Sequence, residues 1–133
     1  MSDDCDAIAY TCWTSIHQEV RRRLEEWFDA APADQFQVYL AEVGLCDHEQ
    51  GSAGVIVTNQ RVVFCNEDNR GSVSLDGEGE LQIKKTGTSY DVTFCHGRRM
   101  RHRRPVSRLD PDDAGRLIHT LDELKRHLRT VRR

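Results

Sequence analysis

No stretch of this sequence approaches about eighteen consecutive apolar residues, which excludes a transmembrane helix of ordinary length. The opening Met1-Ser2-Asp3-Asp4 is acidic with no apolar block behind it, so no secretory signal peptide is expected. Paired cysteines are missing as well. Cys5, Cys12, Cys46, Cys65 and Cys95 are odd in number, contain no Cys-x-x-Cys, and stand 7, 34, 19 and 30 residues apart. That pattern argues against a disulfide framework and for a reducing, cytoplasmic setting. Cys46-x-His48 and Cys95-His96 look like fragments of a metal site, but structural zinc normally draws paired ligands at short fixed spacing. Buried free thiols are the expected state, with no metal and no cofactor.

Catalytic signatures are also lacking. There is no Gly-x-Ser-x-Gly, no His-Glu-x-x-His and no glycine-rich phosphate loop. The six histidines are dispersed, and the neighbours Cys46, Asp47 and His48 do not by adjacency align a nucleophile with its base. The chain reads as non-enzymatic.

What is present is one domain's worth of chain: 133 residues, 38% hydrophobic and 31% charged, with a mean hydropathy of -0.66. Charge is graded along it. Residues 1–50 hold 3 Lys/Arg against 11 Asp/Glu, residues 51–100 hold 6 of each, and residues 101–133 hold 10 against 5. Opposite poles steer a charged partner, or they mark ends that pack together or copies that associate head to tail.

Residues 4–29 predict a helix. Trp13, Ile16, Val20, Leu24 and Trp27 recur at steps of 3, 4, 4 and 3 and form one stripe, with Phe28 beside it. Asp3, Asp4 and Asp6 suit the positive end of its dipole, and residues 30–33, with Pro32, end it. The stripe's partner is either the rest of the domain or a protein, including a second copy, for which tryptophan is a favoured anchor.

From about residue 35 the period changes to 2. Phe36, Val38 and Leu40 are expected on one face. Residues 54–58 and 61–65 are β-branched, nearly continuous apolar runs joined by Asn59-Gln60. Alternation resumes at 72–75, 81–84 and 90–94, and residues 98–104 make a seventh strand. Seven short antiparallel strands predict a small barrel or two packed sheets. The last element is a helix capped by Asp110, with Pro111 at its first position and a stripe of Leu117, Ile118, Leu121, Leu124 and Leu128. Its basic tail, with Lys125, Arg126, His127, Arg129, Arg132 and Arg133, is expected at the negative end of the dipole. The fold class is thus α+β or mainly β, with a helix and linker over 1–33 ahead of the main unit at 34–133.

This order resembles the pleckstrin-homology (PH) superfold. The run Gly54-Val55-Ile56-Val57-Thr58-Asn59-Gln60-Arg61-Val62-Val63-Phe64 is similar to the bacterial PH-like and GRAM-like branch: glycine, apolar strand, Thr-Asn, Arg, apolar strand ending in Phe. The likeness spans about residues 35–130 and implies a seven-stranded antiparallel barrel or sandwich with a C-terminal capping helix. It also implies a module that binds phosphoinositides, peptides or proteins, or an oligomeric scaffold. Lipid-binding members place Lys and Arg around the first strand pair. Residues 42–50 carry Glu42, Asp47 and Glu49 there and no Lys or Arg, which disfavours an inositol-phosphate site at that position.

The sharpest basic feature is the run at 98–104. On a strand, Arg99, Arg101 and Arg103 line one face about 7 Å apart, with Arg104 at the end. Such a row binds anionic lipid, or it is a solvated edge whose charge prevents sheet-to-sheet pairing. Three arginines contribute about 1 kcal/mol each at an anionic membrane, which is weak anchoring. Nucleic acid is disfavoured, because no aromatic platform interleaves the basic residues and the pI is near 6.1. A protein partner or homo-oligomer is therefore expected first, and peripheral attachment to anionic membrane second.

Overall fold

Unbroken apolar runs at 54–58 and 61–65 require strands covered on both faces, and the fold supplies both covers. A computed structural model describes residues 9–67, 69–76, 79–96, 99–100, 105–124 and 129–132. Strands β1 (Ala9–Tyr10), β2 (Phe36–Ala41), β3 (Gly54–Thr58), β4 (Arg61–Cys65) and β5 (Arg70–Ser74) form one antiparallel sheet in chain order. The second sheet is built on the long hairpin of β6 (Gly79–Thr86) and β7 (Ser89–His96). Both β8 (Arg99–Met100) and β9 (Ser107–Leu109) pair with the far side of β7. The final strand, β10 (Arg129–Arg132), runs parallel to β6.

The interior lies between the sheets. Val55, Val57, Val62 and Phe64 face Leu81, Ile83, Val92 and Phe94, all at most 2% exposed, and Phe64 stacks on Phe94 with centroids 5.7 Å apart. Helix α2 (Pro111–Leu124) adds Ala114, Leu117 and Leu121 to this core. Asp110 caps it as expected: its Oδ1 accepts from the Asp113 N–H at 2.8 Å.

The other face of the first sheet exposes Tyr39, Ile56 and Val63 to a second apolar cluster. Ile16, Val20, Leu24, Trp27 and Phe28 cover it. Most of these come from α1 (Gln18–Glu25) and its flanks. Alternate residues of β3 and β4 therefore enter different cores, so both parities are apolar.

Several expectations are corrected. The two sheets are not closed into a barrel: no strand pairing joins them among the described residues, and the α+β architecture is that of two packed sheets. β10 adds a parallel pair to an otherwise antiparallel design. The leading helix is not continuous from residue 4. A strand at Ala9–Tyr10 and a 3-10 turn at Trp13–Ser15 come first, and Ile16 is extended. His17 starts α1 by accepting the Glu19 N–H on Nδ1 at 3.1 Å. Asp3, Asp4 and Asp6 lie outside the described residues, and the helix dipole begins at Gln18, far along the chain from them.

Helix α1 also ends early, at Glu25, so Pro32 is not what stops it. Helix α2 ends at Leu124, and the cations Arg129 and Arg132 belong to a strand. Lys125, Arg126, His127, Leu128 and Arg133 fall outside the described residues. Cys12 and Cys46 are exposed and Cys65 is half-buried, against the expectation of buried thiols at these three positions, while Cys5 lies outside the described residues.

Phe36 is the most consequential correction. Its partner is Thr58, yet Val38 pairs with Val57, so two residues of β2 oppose one of β3. This bulge at Gln37 breaks the alternation. Val38 and Leu40 enter the inner core, whereas Phe36 joins the outer cluster.

Candidate functional site

The bulge places Phe36 beside Trp13 and Phe28. Trp13 meets Phe28 at 5.8 Å and 62°, and Phe36 at 5.3 Å and 66°. At such angles the rings form a trough rather than a flat stack. The groove they line measures about 510 Å³ and is bordered by Glu25, Asp29, Ala30 and Asp34. Phe28 is buried, whereas Trp13 and Phe36 keep part of their surface open.

Electrostatics divide the border in two. Asp34 is engaged: its Oδ2 accepts from Arg61 Nη2 at 2.8 Å and from the Ala31 N–H at 2.8 Å, while Oδ1 accepts from the Thr58 hydroxyl at 2.9 Å. Burial alone raises its pKa, but these donors outweigh burial and hold it below the ordinary carboxylate value. The Arg61 guanidinium also donates to Asp29 O at 2.7 Å and lies 5.7 Å from the Phe28 ring centre. By contrast, Glu25 and Asp29 are exposed, and neither side chain has an ion-pair partner among the described residues.

A second cleft, of about 270 Å³, lies between Glu42, Val43, Asn66, Glu67, Pro105, Ser107 and Arg108. Burial pushes the Glu42 pKa up, against the opposing pull of the Arg108 N–H and the Ser107 hydroxyl, the latter 3.5 Å from Oε1. Arg108 directs its guanidinium to Asp91 at 2.7 Å. Among the described residues no histidine lines this cleft, and a carboxylate at the limit of hydrogen-bond reach is a poor activator of a serine. Among the described residues no group of three metal-binding side chains converges.

No family model, curated protein or solved structure matches this chain. Its own geometry has to carry the functional reading.

The sequence-derived sites are distributed unevenly. Ile16, Val20, Leu24 and Trp27 are at most 8% exposed and cover the first sheet. Uncovering them costs about 2 kcal/mol each, a total comparable with the whole stability of a domain this size. Only Trp13 of that stripe has surface to offer. Among the basic residues, Arg99 begins β8 at the edge of the second sheet. Arg101, Arg103 and Arg104 lie outside the described residues. The acidic loop after β2 is held down beneath α1 rather than open: Trp27 Nε1 donates to Gly51 O at 2.8 Å and Arg23 Nη1 to Gln50 O at 2.7 Å.

Residue patterning alone did not join Phe36, Glu25 and Asp29 to Trp13. Their only sequence signal was Phe28 standing one step off the stripe. No described helix is long and apolar enough to cross a membrane.

Proposed function

We propose that this chain is a non-enzymatic, PH-like binding module that engages a segment of a protein partner. One observation carries this reading: three aromatic rings line an open groove whose border holds two carboxylates with no ion-pair partner among the described residues. Half-exposed aromatic side chains held rigidly by a packed core are favoured anchors for protein segments. The PH-like part draws support from the order of the longer elements: β2 to β5 in one sheet, then β6, β7 and the broken β8/β9 line, then α2. The β3–β4 hairpin adds to it, with Thr58 and Arg61 of the Thr-Asn-x-Arg run knitted to the preceding linker.

Selection of displayed peptides against the purified chain tests the proposal. Selected peptides are expected to shift the emission of Trp13 and to lose binding in Trp13→Ala and Phe36→Ala. Binding that ignores both substitutions overturns it.

A second reading is peripheral attachment to anionic membrane, favoured by the position of Arg99 on a sheet edge and the arginine-rich sequence that follows. Co-sedimentation with phosphatidylserine vesicles that weakens with salt and vanishes in the Arg99→Ala, Arg101→Ala, Arg103→Ala variant would move this reading to first place.

A further inference from the structure

We infer that the Trp13–Phe28–Phe36 groove selects a partner segment by an arginine side chain, with the guanidinium against the aromatic rings and countered by Glu25 and Asp29. This rests on the binding-module reading above and names the chemistry of the occupant.

Three observations converge. The groove is aromatic, and its border charges that lack an ion-pair partner among the described residues are negative, the combination that attracts a cation to a ring face. The molecule already uses this chemistry at the same place. Arg61 lies over Phe28, pairs with Asp34 and donates to Asp29 O. A planar guanidinium suits such a site better than an ammonium, because it stacks and hydrogen-bonds at once and sheds water more readily. Charge complementarity adds a direction. Residues 1–50, which supply every lining residue of the groove, carry 3 basic against 11 acidic side chains.

The chain's own segments suit the groove less well. Residues 1–8 contribute Asp3, Asp4 and Asp6, of the same sign as the border. The basic run at 98–104 of a second copy has the right sign, but its described part, β8, belongs to the second sheet, whereas the groove lies beside the first. Their pairing is therefore heterologous and propagates without end unless the rotation happens to close a ring. A separate protein carrying an exposed arginine satisfies the groove without that consequence.

The test uses a short fluorescein-labelled peptide with spaced arginines, together with matched peptides in which citrulline or lysine replaces arginine. Citrulline keeps the shape and removes the charge. Anisotropy is expected to rise with the arginine peptide at low salt and to weaken about tenfold or more with citrulline. The lysine peptide is expected between them. Glu25→Lys with Asp29→Lys should abolish the arginine preference, and Trp13→Ala should weaken binding similarly. The two charge substitutions alter exposed side chains, and the buried Trp27 reports that the fold persists in every variant.

Equal binding of arginine and citrulline peptides overturns the guanidinium inference and leaves the groove as a docking site. Failure of every peptide, with Trp13 emission unchanged throughout, overturns both readings. Concentration-dependent growth in mass that Trp13→Ala removes and the arginine peptide cannot displace reassigns the groove to a second copy and overturns the inference.

Discussion

Asp34 and Arg61 meet at 2.8 Å with the carboxylate almost wholly buried, its side chain 2% exposed, so the linker before β2 is fastened to the start of β4. The Thr58 hydroxyl joins them, donating to Asp34 and accepting the N–H groups of Gln60 and Arg61 at 3.0 and 3.1 Å. Removing the cation leaves a buried charge with a smaller share of its donors. Arg61→Ala is therefore expected to cost about 2 kcal/mol in urea unfolding, and Arg61→Lys to recover only part, since an ammonium cannot reproduce the planar fork. The pair also has a pH signature. A carboxylate held below its ordinary pKa contributes stability above the unfolded value, and that contribution is lost as pH falls through the folded value. The variant should lose less stability on acidification than the native chain.

Tyr39 sets a phenol hydroxyl deep in the first sheet. It is fully buried, donates to Ala53 O at 2.6 Å and accepts the Gly51 N–H at 3.0 Å. Burial pushes its phenol well above the usual tyrosine pKa. Tyr39→Phe preserves the ring but strands a carbonyl and an N–H in the interior, at about 1–3 kcal/mol. The expected outcome is a lower unfolding midpoint with unchanged denaturant dependence. An unaltered midpoint would mean that water reaches this loop.

Strand and helix identities were largely legible because their cause is local. Period-2 runs gave β2 and β5 to β7, continuous β-branched runs gave β3 and β4, and the Asp110-Pro111 start gave α2. What escaped was decided by contacts distant in sequence. β9 and β10 are too short for their alternation to stand out, and each is extended along the open flank of a neighbour distant in sequence, β7 or β6, with Leu109 of β9 entering the inner core. The break before α1 depends on Ile16 turning inward to the second cluster. The groove was hidden behind one extra residue. Strict alternation assigns Phe36 to the inner core, and only the bulge opposite Val57 and Thr58 sends it to the other face. A bulge leaves no fixed mark in composition, so the site that depends on it could not be read in advance.

Two glycines with positive φ should respond differently to alanine. Gly51 has φ +95°, and a Cβ there would stand 2.6 Å from the main-chain oxygen of Val20, across the contact between the loop and α1. Gly44 has φ +87° with nothing within 4 Å of that position. Both substitutions carry the cost of a left-handed conformation, about 1 kcal/mol, but only Gly51→Ala must also push α1 off the sheet. Gly51→Ala is expected to lose at least about twice the stability lost by Gly44→Ala, with a red shift of Trp27 emission. Equal losses would show that the loop yields without disturbing the helix.

Asp113 couples α2 to pH. It is 2% exposed, its Oδ1 has no hydrogen-bond partner among the described residues, and the Arg116 guanidinium stands 3.8 Å away. Burial first, and then the charges of Asp110 and Asp112, push its pKa up to about 7 against the pull of Arg116. The folded state therefore keeps a proton that the unfolded chain releases near pH 4. Across that window the unfolded state binds fewer protons, so stability falls as pH rises and the penalty is complete above about pH 7. About three pH units of displacement correspond to roughly 4 kcal/mol at most. Asp113→Asn removes the titration while keeping the shape. The variant is expected to match the native chain near pH 4 and to exceed it at pH 8, both measured by urea unfolding. A native chain equally stable at both values would show that the carboxyl is ionised in the fold and that Arg116 closes on it.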